Sequence, residues 1–245
     1  MILPVFKPVG DSTHQLAVKA KKIFFEKATH TGTLDPIASG VVTVLIGDDR
    51  LLKAKLSSVE KTYCCTVLLG ISTDTHDILG LIDEKKIISE SDVKVWIESA
   101  KEIIGSHKQR IPDFSAKRWN GKSFFDAARK REELPRIAEK ITVHHVSVGE
   151  VENVRFGQLV SQICQTIDAV VGDFRQEEIL KQWKVFAQHQ ETACTVQLEI
   201  TCSKRTYIRG LVRDISQQSG VPACILSLTR TQNGLYGIAD CICLL

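Results

Sequence analysis

Four common signatures are missing from this sequence, and each absence removes a class of chemistry. No two glycines stand at G-x-G spacing, so the dinucleotide-binding turn is not there. There is no G-x-x-x-x-G-K-[ST] phosphate loop, no H-E-x-x-H and no G-x-S-x-G, which takes the ground from nucleotide-driven, zinc-protease and α/β-hydrolase readings. Eight cysteines are present, yet no pair has the C-x-x-C spacing of a zinc or redox site. Cys194 and Cys202 fall in phase with Val196, Leu198 and Ile200, as buried strand thiols do, and the set reads as core thiols in a reducing compartment. Long apolar runs are lacking too. Val41–Ile46, one of the longest, is broken by Thr43 and falls far short of the roughly 18 residues of a spanning helix. Met1–Phe6 is too short for a signal peptide, and Lys7 follows it on the wrong side. The expectation is a soluble, cytoplasmic chain with no membrane partner. A net charge of +3 selects no partner by itself. The clusters Lys19–Lys22, Lys117-Arg118, Arg129–Arg131 and Lys204-Arg205 say more, since basic patches attract phosphates, although most short charge runs are solvated faces.

What is there suits a folded domain. A chain of 245 residues can bury about 72% of the surface its unfolded form exposes, enough for a core without disulfides or metal. Ser12-x-x-Gln15 reads as a capping box, and Leu16, Ala20, Ile23 and Phe24 predict a helix over about 12–25. Ser39–Gly47 reads as an apolar strand, with Asp48 capping a short helix through about Leu56. Lys61–Gly70 is strand-like, with Tyr63, Cys65, Val67 and Leu69 on one face. Asp92–Ile104 is the clearest helix, with Gly105 after it. Residues 106–121 are basic, broken by Pro112, and read as a loop or irregular strand; Ser123 caps a helix through about Arg131. Residues 140–156 alternate as one long strand or a hairpin, and Ala193–Cys202 alternates with Thr195, Gln197, Glu199 and Thr201 outward. Ile208, Leu211, Val212 and Ile215 mark a helix ended by Gly220. Strands and helices mix without a βαβ rhythm, so the fold class expected is α+β with a central mixed, mostly antiparallel sheet.

The densest polar segment is Thr29–Pro36. Asp35 precedes Pro36, which biases it towards extended backbone, and Gly32 permits a tight turn. A carboxylate on such a loop beside a buried strand suits a nucleophile or acid/base. It suits equally a turn residue that satisfies its own backbone, and local chemistry alone favours the turn. Lys61-x-Tyr63 puts a cation and an aromatic on one side of a strand, and Tyr207-Ile208-Arg209 repeats the pairing at a strand–helix junction. An arginine near an aspartate can orient it bidentately, and a tyrosine can stack on a base or exchange a proton. Taken singly, each aromatic is more often core. Asp74-Thr75-His76-Asp77 carries ligand-like side chains but reads as a solvated loop rather than a metal site, His144-His145 is read as pointing to opposite strand faces, and Asp214 and Glu199 read as surface charges or ion pairs.

Taken together, the motifs resemble those of the TruB family of tRNA pseudouridine synthases. His30–Gly40, HTGTLDPIASG, is similar to the family's signature. In order along the chain, Lys7-Pro8-Val9-Gly10 resembles K-P-x-G, Lys61-Thr62-Tyr63 resembles K-x-Y, and Thr73–Gly80 resembles T-D-T-x-D-x-x-G. Ile111–Lys130 is similar to the block I-P-P-x-Y-S-A…N-G-K…A-R; Cys202–Arg209 resembles C-S-K-G-T-Y-I-R, and Leu228-Thr229-Arg230 resembles L-x-R. The matches run from about residue 5 to about 237, so the synthase domain is expected over 1–237 with a short tail over 238–245, the RNA-binding PUA-type module of many relatives being absent or vestigial.

The resemblance implies a pseudouridine synthase fold with an RNA cleft and isomerisation of the T-loop uridine of tRNA (Ψ55), with no cofactor, no metal and a monomer as default. It implies Asp35 as nucleophile, Arg209 as its ion-pair partner, Tyr207 as candidate general base, Tyr63 stacked on a flipped uracil, Leu228 against the base, Lys61 supporting the pocket and His30 helping to splay the RNA loop. Base flipping costs a few kcal/mol, which stacking of about 1–3 kcal/mol per base offsets. The chain departs from the pattern at Thr29, Ser39, Asp113, Phe114 and Phe125, and at Arg205, which stands where the motif has glycine. The rival readings are an RNA-binding, tRNA-folding protein with little catalysis and a guide-dependent synthase; a methyltransferase is more distant, for want of a glycine-rich cofactor loop.

Overall fold

Strands outnumber helices in the computed structural model, which describes residues 1–186 and 191–244. The elements run β1 (Ile2–Lys7), α1 (Thr13–Phe24), β2 (Ala28–Thr31), β3 (Ala38–Ile46), α2 (Lys53–Leu56), β4 (Lys61–Leu69), β5 (Ile71–Thr73), β6 (Ile82–Lys85) and α3 (Glu90–Glu102). They continue through β7 (Gly105–Arg110), β8 (Arg118–Trp119), β9 (Lys122–Ser123), α4 (Phe124–Arg129), β10 (Ala138–Arg155), α5 (Phe156–Asp168) and α6 (Gln176–Phe186). The last are β11 (Thr192–Cys202), α7 (Ile208–Ser219), β12 (Ala223–Asn233) and β13 (Tyr236–Gly237). The main sheet has the order β1-β3-β12-β4-β11-β10-β7, with β2 beside β3 and β13 beside β12. Its pairs are antiparallel except β3 with β12, so the sheet is mixed and mostly antiparallel, and the class is α+β.

Local chemistry explains the elements that carry the site. α1 starts where the Ser12 hydroxyl accepts the Gln15 amide N–H and the Gln15 side chain accepts the Ser12 N–H. β4 lies between β11 and β12, and Tyr63, Cys65, Val67 and Leu69 are all buried on it. β3 is buried at nearly every position, so its sequence reads as an apolar run rather than an alternation. α7 turns Ile208, Leu211, Val212 and Ile215 inward and stops at Gly220, whose φ of 67° is left-handed.

Several expectations need correction. Asp48 caps nothing: Gly47–Leu52 is a 3-10 segment that no side chain closes. Residues 106–121 divide into the rest of β7, an edge strand paired with β10, and a turn leading into the small β8–β9 hairpin. Thr195, placed outward by alternation, is buried. A bulge between Val143 and His145 breaks the alternation of β10, so His144 and His145 are both exposed rather than on opposite faces. Asp74–Asp77 is not a solvated loop. Thr75 and Asp77 are buried, Ile225 donates its N–H to the His76 carbonyl, and Ile78 donates to that of Ile225, which stitches the loop onto β12. At the other end of the chain the Phe6 N–H donates to the Ile242 carbonyl, and Leu244 is buried, so the tail packs along β1; Leu245, at the end of the expected 238–245 tail, lies outside the described residues.

The parallel β3–β12 contact is a close backbone approach near the site. Gly40 sits opposite Arg230 with a φ of 113°, and a Cβ there would stand 2.2 Å from the Arg230 carbonyl oxygen. Both the backbone conformation and the clash resist any side chain. Gly40→Ala is expected to cost roughly 3 kcal/mol or more, read as a lowered midpoint in urea unfolding.

Candidate active site

Asp35 stands on the loop between β2 and β3, and three separate anchors hold that loop. Lys7, fully buried at the end of β1, donates from Nζ to the carbonyls of Pro8, Pro36 and Ala38 at 2.9, 3.3 and 2.5 Å. Burial pushes the Lys7 amine down to about 8, against the opposing pull of Asp35 and Asp11. Thr13, first residue of α1, accepts the Leu34 N–H at 2.9 Å and donates to the Leu34 carbonyl at 3.2 Å. Gly10 donates its N–H to the Pro36 carbonyl. The turn-residue alternative fails on one point: the carboxylate of Asp35 is taken by a residue 174 positions away rather than by its own backbone.

That residue is Arg209. Its Nε and Nη2 donate to the two carboxylate oxygens of Asp35 at 2.8 and 2.9 Å, a bidentate pair. Nη1 donates to the Thr75 carbonyl at 2.9 Å and Nη2 also to the Phe114 carbonyl at 3.0 Å. Asp77 Oδ2 lies 3.5 Å from Nε. The arginine side chain is 4% exposed and Asp77 5%, whereas Asp35 is 32% exposed. The pair therefore has a buried cationic back and an open anionic front. Burial works against the guanidinium charge, but the two carboxylates outweigh it and hold Arg209 protonated. Burial also pushes the Asp77 carboxyl up to about 6, while Arg209 and the bonds from Thr75 and the Leu79 N–H pull it back.

The front of Asp35 opens into a cleft of about 600 Å³ whose lining includes Lys61, Tyr63, Tyr207 and Leu228. Tyr63 and Leu228 come from neighbouring strands, β4 and β12, and both are buried. Lys61 donates to the carbonyls of Val59 and Ser57 at 2.6 and 3.3 Å, closing the end of α2 against β4; burial pushes its amine down to about 8. Tyr207 is the N-cap residue of α7, and burial pushes its phenol up, with Asp35 acting in the same direction. His30 stands on β2, two residues before Gly32, which does line the cleft. Its Nδ1 is buried without a hydrogen-bond partner, and burial, helped by Lys53 and Arg230, lowers it to about 4, so the ring is neutral at pH 7.

Sequence reasoning overlooked four residues. Lys7 and Asp77 lay inside quoted motifs but had no role assigned. Arg230, almost fully buried, donates from Nε to the Val41 carbonyl and from Nη2 to the Gly32 carbonyl, tying the turn before Asp35 to the sheet. Gln109 on β7 clamps Tyr207 on both sides, accepting its N–H at 2.9 Å and donating to its carbonyl at 3.0 Å. Gly210 keeps that clamp possible, since a Cβ there would stand 2.9 Å from the Gln109 amide nitrogen. Among the described residues, no group of three or more His, Cys, Asp and Glu side chains is placed to hold a metal ion.

This architecture is the pseudouridine synthase fold. It is shared, at a TM-score of 0.62 and 22% identity, with a chain of a Cbf5–Nop10–Gar1 complex, and at 0.60 and 21% with a chain of an H/ACA RNP bound to a substrate RNA containing 2′-deoxyuridine. Each likeness covers 99% of this chain and about half of the other, 52% and 50% respectively. The model of the TruB family pseudouridylate synthase N-terminal domain matches residues 20–166. The sequence is 32% identical to tRNA pseudouridine synthase B of Staphylococcus saprophyticus over 99% of this chain and 69% of that protein. It is 30% identical to tRNA pseudouridine synthase B of Bacillus licheniformis over 98% and 67%. The chain belongs to the TruB family.

Burial separates the two halves of the ion pair in a measurable way. Arg209→Ala would strand the buried Asp77 carboxylate and is expected to cost roughly 3–5 kcal/mol in urea unfolding. Asp35→Ala, which leaves Arg209 its other partners, should cost about 1 kcal/mol or less.

Proposed function

We propose that this protein isomerises uridine to pseudouridine in the T-loop of tRNA, at position 55, with Asp35 as the nucleophile. The observation that carries the assignment is the bidentate Asp35–Arg209 pair at the floor of a cleft flanked by Tyr63, Tyr207 and Leu228. The target atoms lie inside a folded RNA loop, so the uridine must leave its stack to reach the carboxylate. Tyr63 stacks on the extruded uracil, and Leu228 packs against it. Asp35 attacks the ribose or the ring, the N1–C1′ bond breaks, the base turns, and a C5–C1′ bond forms. The C5 proton is then lost and N1 gains one, so the product has the substrate's composition and nothing is added or removed.

Arg209 pairs with Asp35 and aims both of its oxygens, so little reorganisation is left for the chemical step. Tyr207 enters as the neutral phenol, because burial disfavours its phenolate; it takes the C5 proton as its own passes to water, and water supplies the proton that N1 gains. Lys61 supports the pocket, and His30, neutral and half-buried, helps to splay the RNA loop. The rim carries Lys117, Lys204 and Arg205, which suits an RNA backbone recognised through its phosphates. The protein acts as a monomer in the cytoplasm, where its tRNA substrate is found.

Asp35→Asn is expected to abolish tritium release from C5-labelled uridine in T-arm RNA while binding of that RNA survives; turnover in this variant would remove the nucleophile. Asp77 sets a pH dependence. Below about pH 6 it carries a proton and Arg209 loses one of its two counter-charges; above it the carboxylate is restored. Single-turnover rates should therefore rise through pH 6, and Asp77→Asn should be slower with that rise gone.

A further inference from the structure

Lys117 and Arg205 both line the cleft that holds Asp35, and they share one counter-ion. Glu139, on β10, accepts Lys117 Nζ on one carboxylate oxygen at 2.7 Å and Arg205 Nη1 on the other at 3.1 Å. The hydrogen bond from Lys117 does most to hold the Glu139 carboxyl below its usual range. Lys117 belongs to the segment before β8 and Arg205 to the turn before α7, so a single carboxylate joins two otherwise separate walls of the cleft.

Stability does not explain the arrangement. Arg205 sits at a φ of 67°, a left-handed conformation that glycine adopts freely and a side chain resists. Its side chain is 65% exposed, and an exposed ion pair returns little stability, no more than such a backbone forfeits. An arginine kept there at a loss to folding has another use for its charge.

We propose that Glu139 stands in for an RNA phosphate: it holds Lys117 and Arg205 apart-but-aimed in the free protein and yields both to the substrate backbone. One anion whose two oxygens are divided between two cations is also the way two non-ester oxygens of a phosphate would be held. The RNA thus meets cations already pointing into the cleft, and an RNA that cannot place a phosphate there must compete with a carboxylate that is already in place. Glu139 is a positioning residue, Lys117 and Arg205 are the contacts. This rests on the RNA cleft of the proposed function, but the test separates the two.

The test measures binding of an unmodified tRNA T-arm stem-loop by wild type, Glu139→Gln and Arg205→Gly across a range of NaCl, alongside steady-state turnover. Removing the competing carboxylate in Glu139→Gln should tighten binding about threefold to tenfold at moderate salt and lower KM by more than it changes kcat. Arg205→Gly, which relieves the backbone, should weaken binding and reduce the slope of log Kd against log salt by about 0.7–0.9, one phosphate contact. Glu139→Gln binding no tighter than wild type, or Arg205→Gly keeping the wild-type slope, would overturn the proposal. If wild type bound the RNA but released no tritium, the catalytic reading would fall while the binding arms still decided this one.

Discussion

The guanidinium of Arg209 is the point from which the rest of the site is built. A buried arginine is costly unless every N–H has a partner, and this one has two carboxylates and two backbone carbonyls around it. Those partners come from three places in the chain, the Asp35 loop, the 74–80 loop and the segment before β8, and α7 supplies the arginine. Satisfying one charge therefore fixes the mutual placement of four segments. Asp35 is the only one of the two carboxylates with an open side, and so the only one able to act on a ligand. The asymmetry follows from where solvent ends, not from any difference between the two acids.

The same logic governs the surrounding backbone. Buried cations bind carbonyls wherever a loop would otherwise be free. Lys7 takes those of Pro36 and Ala38 at the foot of the Asp35 loop, and Arg230 takes that of Gly32 at its head. Gln109 serves Tyr207 as those cations serve the loop, with an amide in place of a charge because its two targets are one donor and one acceptor. Asp35 and Tyr207 are thus held through the backbone around them as well as, for Asp35, through its own polar atoms. Such indirect support leaves Asp35 and Tyr207 lining the cleft.

How much of this was legible depended on whether the signal was local. Capping at Ser12, the one-faced alternation of β4 and the stripe of α7 are decided within a few residues, and they appear as read. Asp74–Asp77 looked like a solvated loop because its polar side chains are indistinguishable, in sequence, from ones that face water. Only the arrival of Arg209, more than 130 residues later, makes Asp77 a buried partner. Gln109 was hidden for the same reason, in a stretch whose basic neighbours suggested a loop. The omission of α5 is different: Phe156, Leu159, Val160, Ile163 and Ile167 form an apolar stripe that periodicity alone reveals. The ordered family motifs found Asp35 and Arg209 together, which no local chemistry could do.

Floor and rim of the cleft obey opposite rules. At the floor Arg209 and Asp77 are buried and partnered, so removing the arginine is expensive. At the rim, Lys117, Lys204 and Arg205 are partly exposed, and their pairings with Glu139 and with the Ser58 hydroxyl cost little to break. A polyanion can displace such partners without disturbing Asp35, whose carboxylate accepts from Arg209 rather than from the rim. Recognition and chemistry can then vary independently. Arg205 departs from the motif's glycine at the rim, whereas Asp35, Asp77 and Arg209 at the floor stay as the motifs have them; Phe114, the one departure that touches Arg209, does so through its backbone carbonyl.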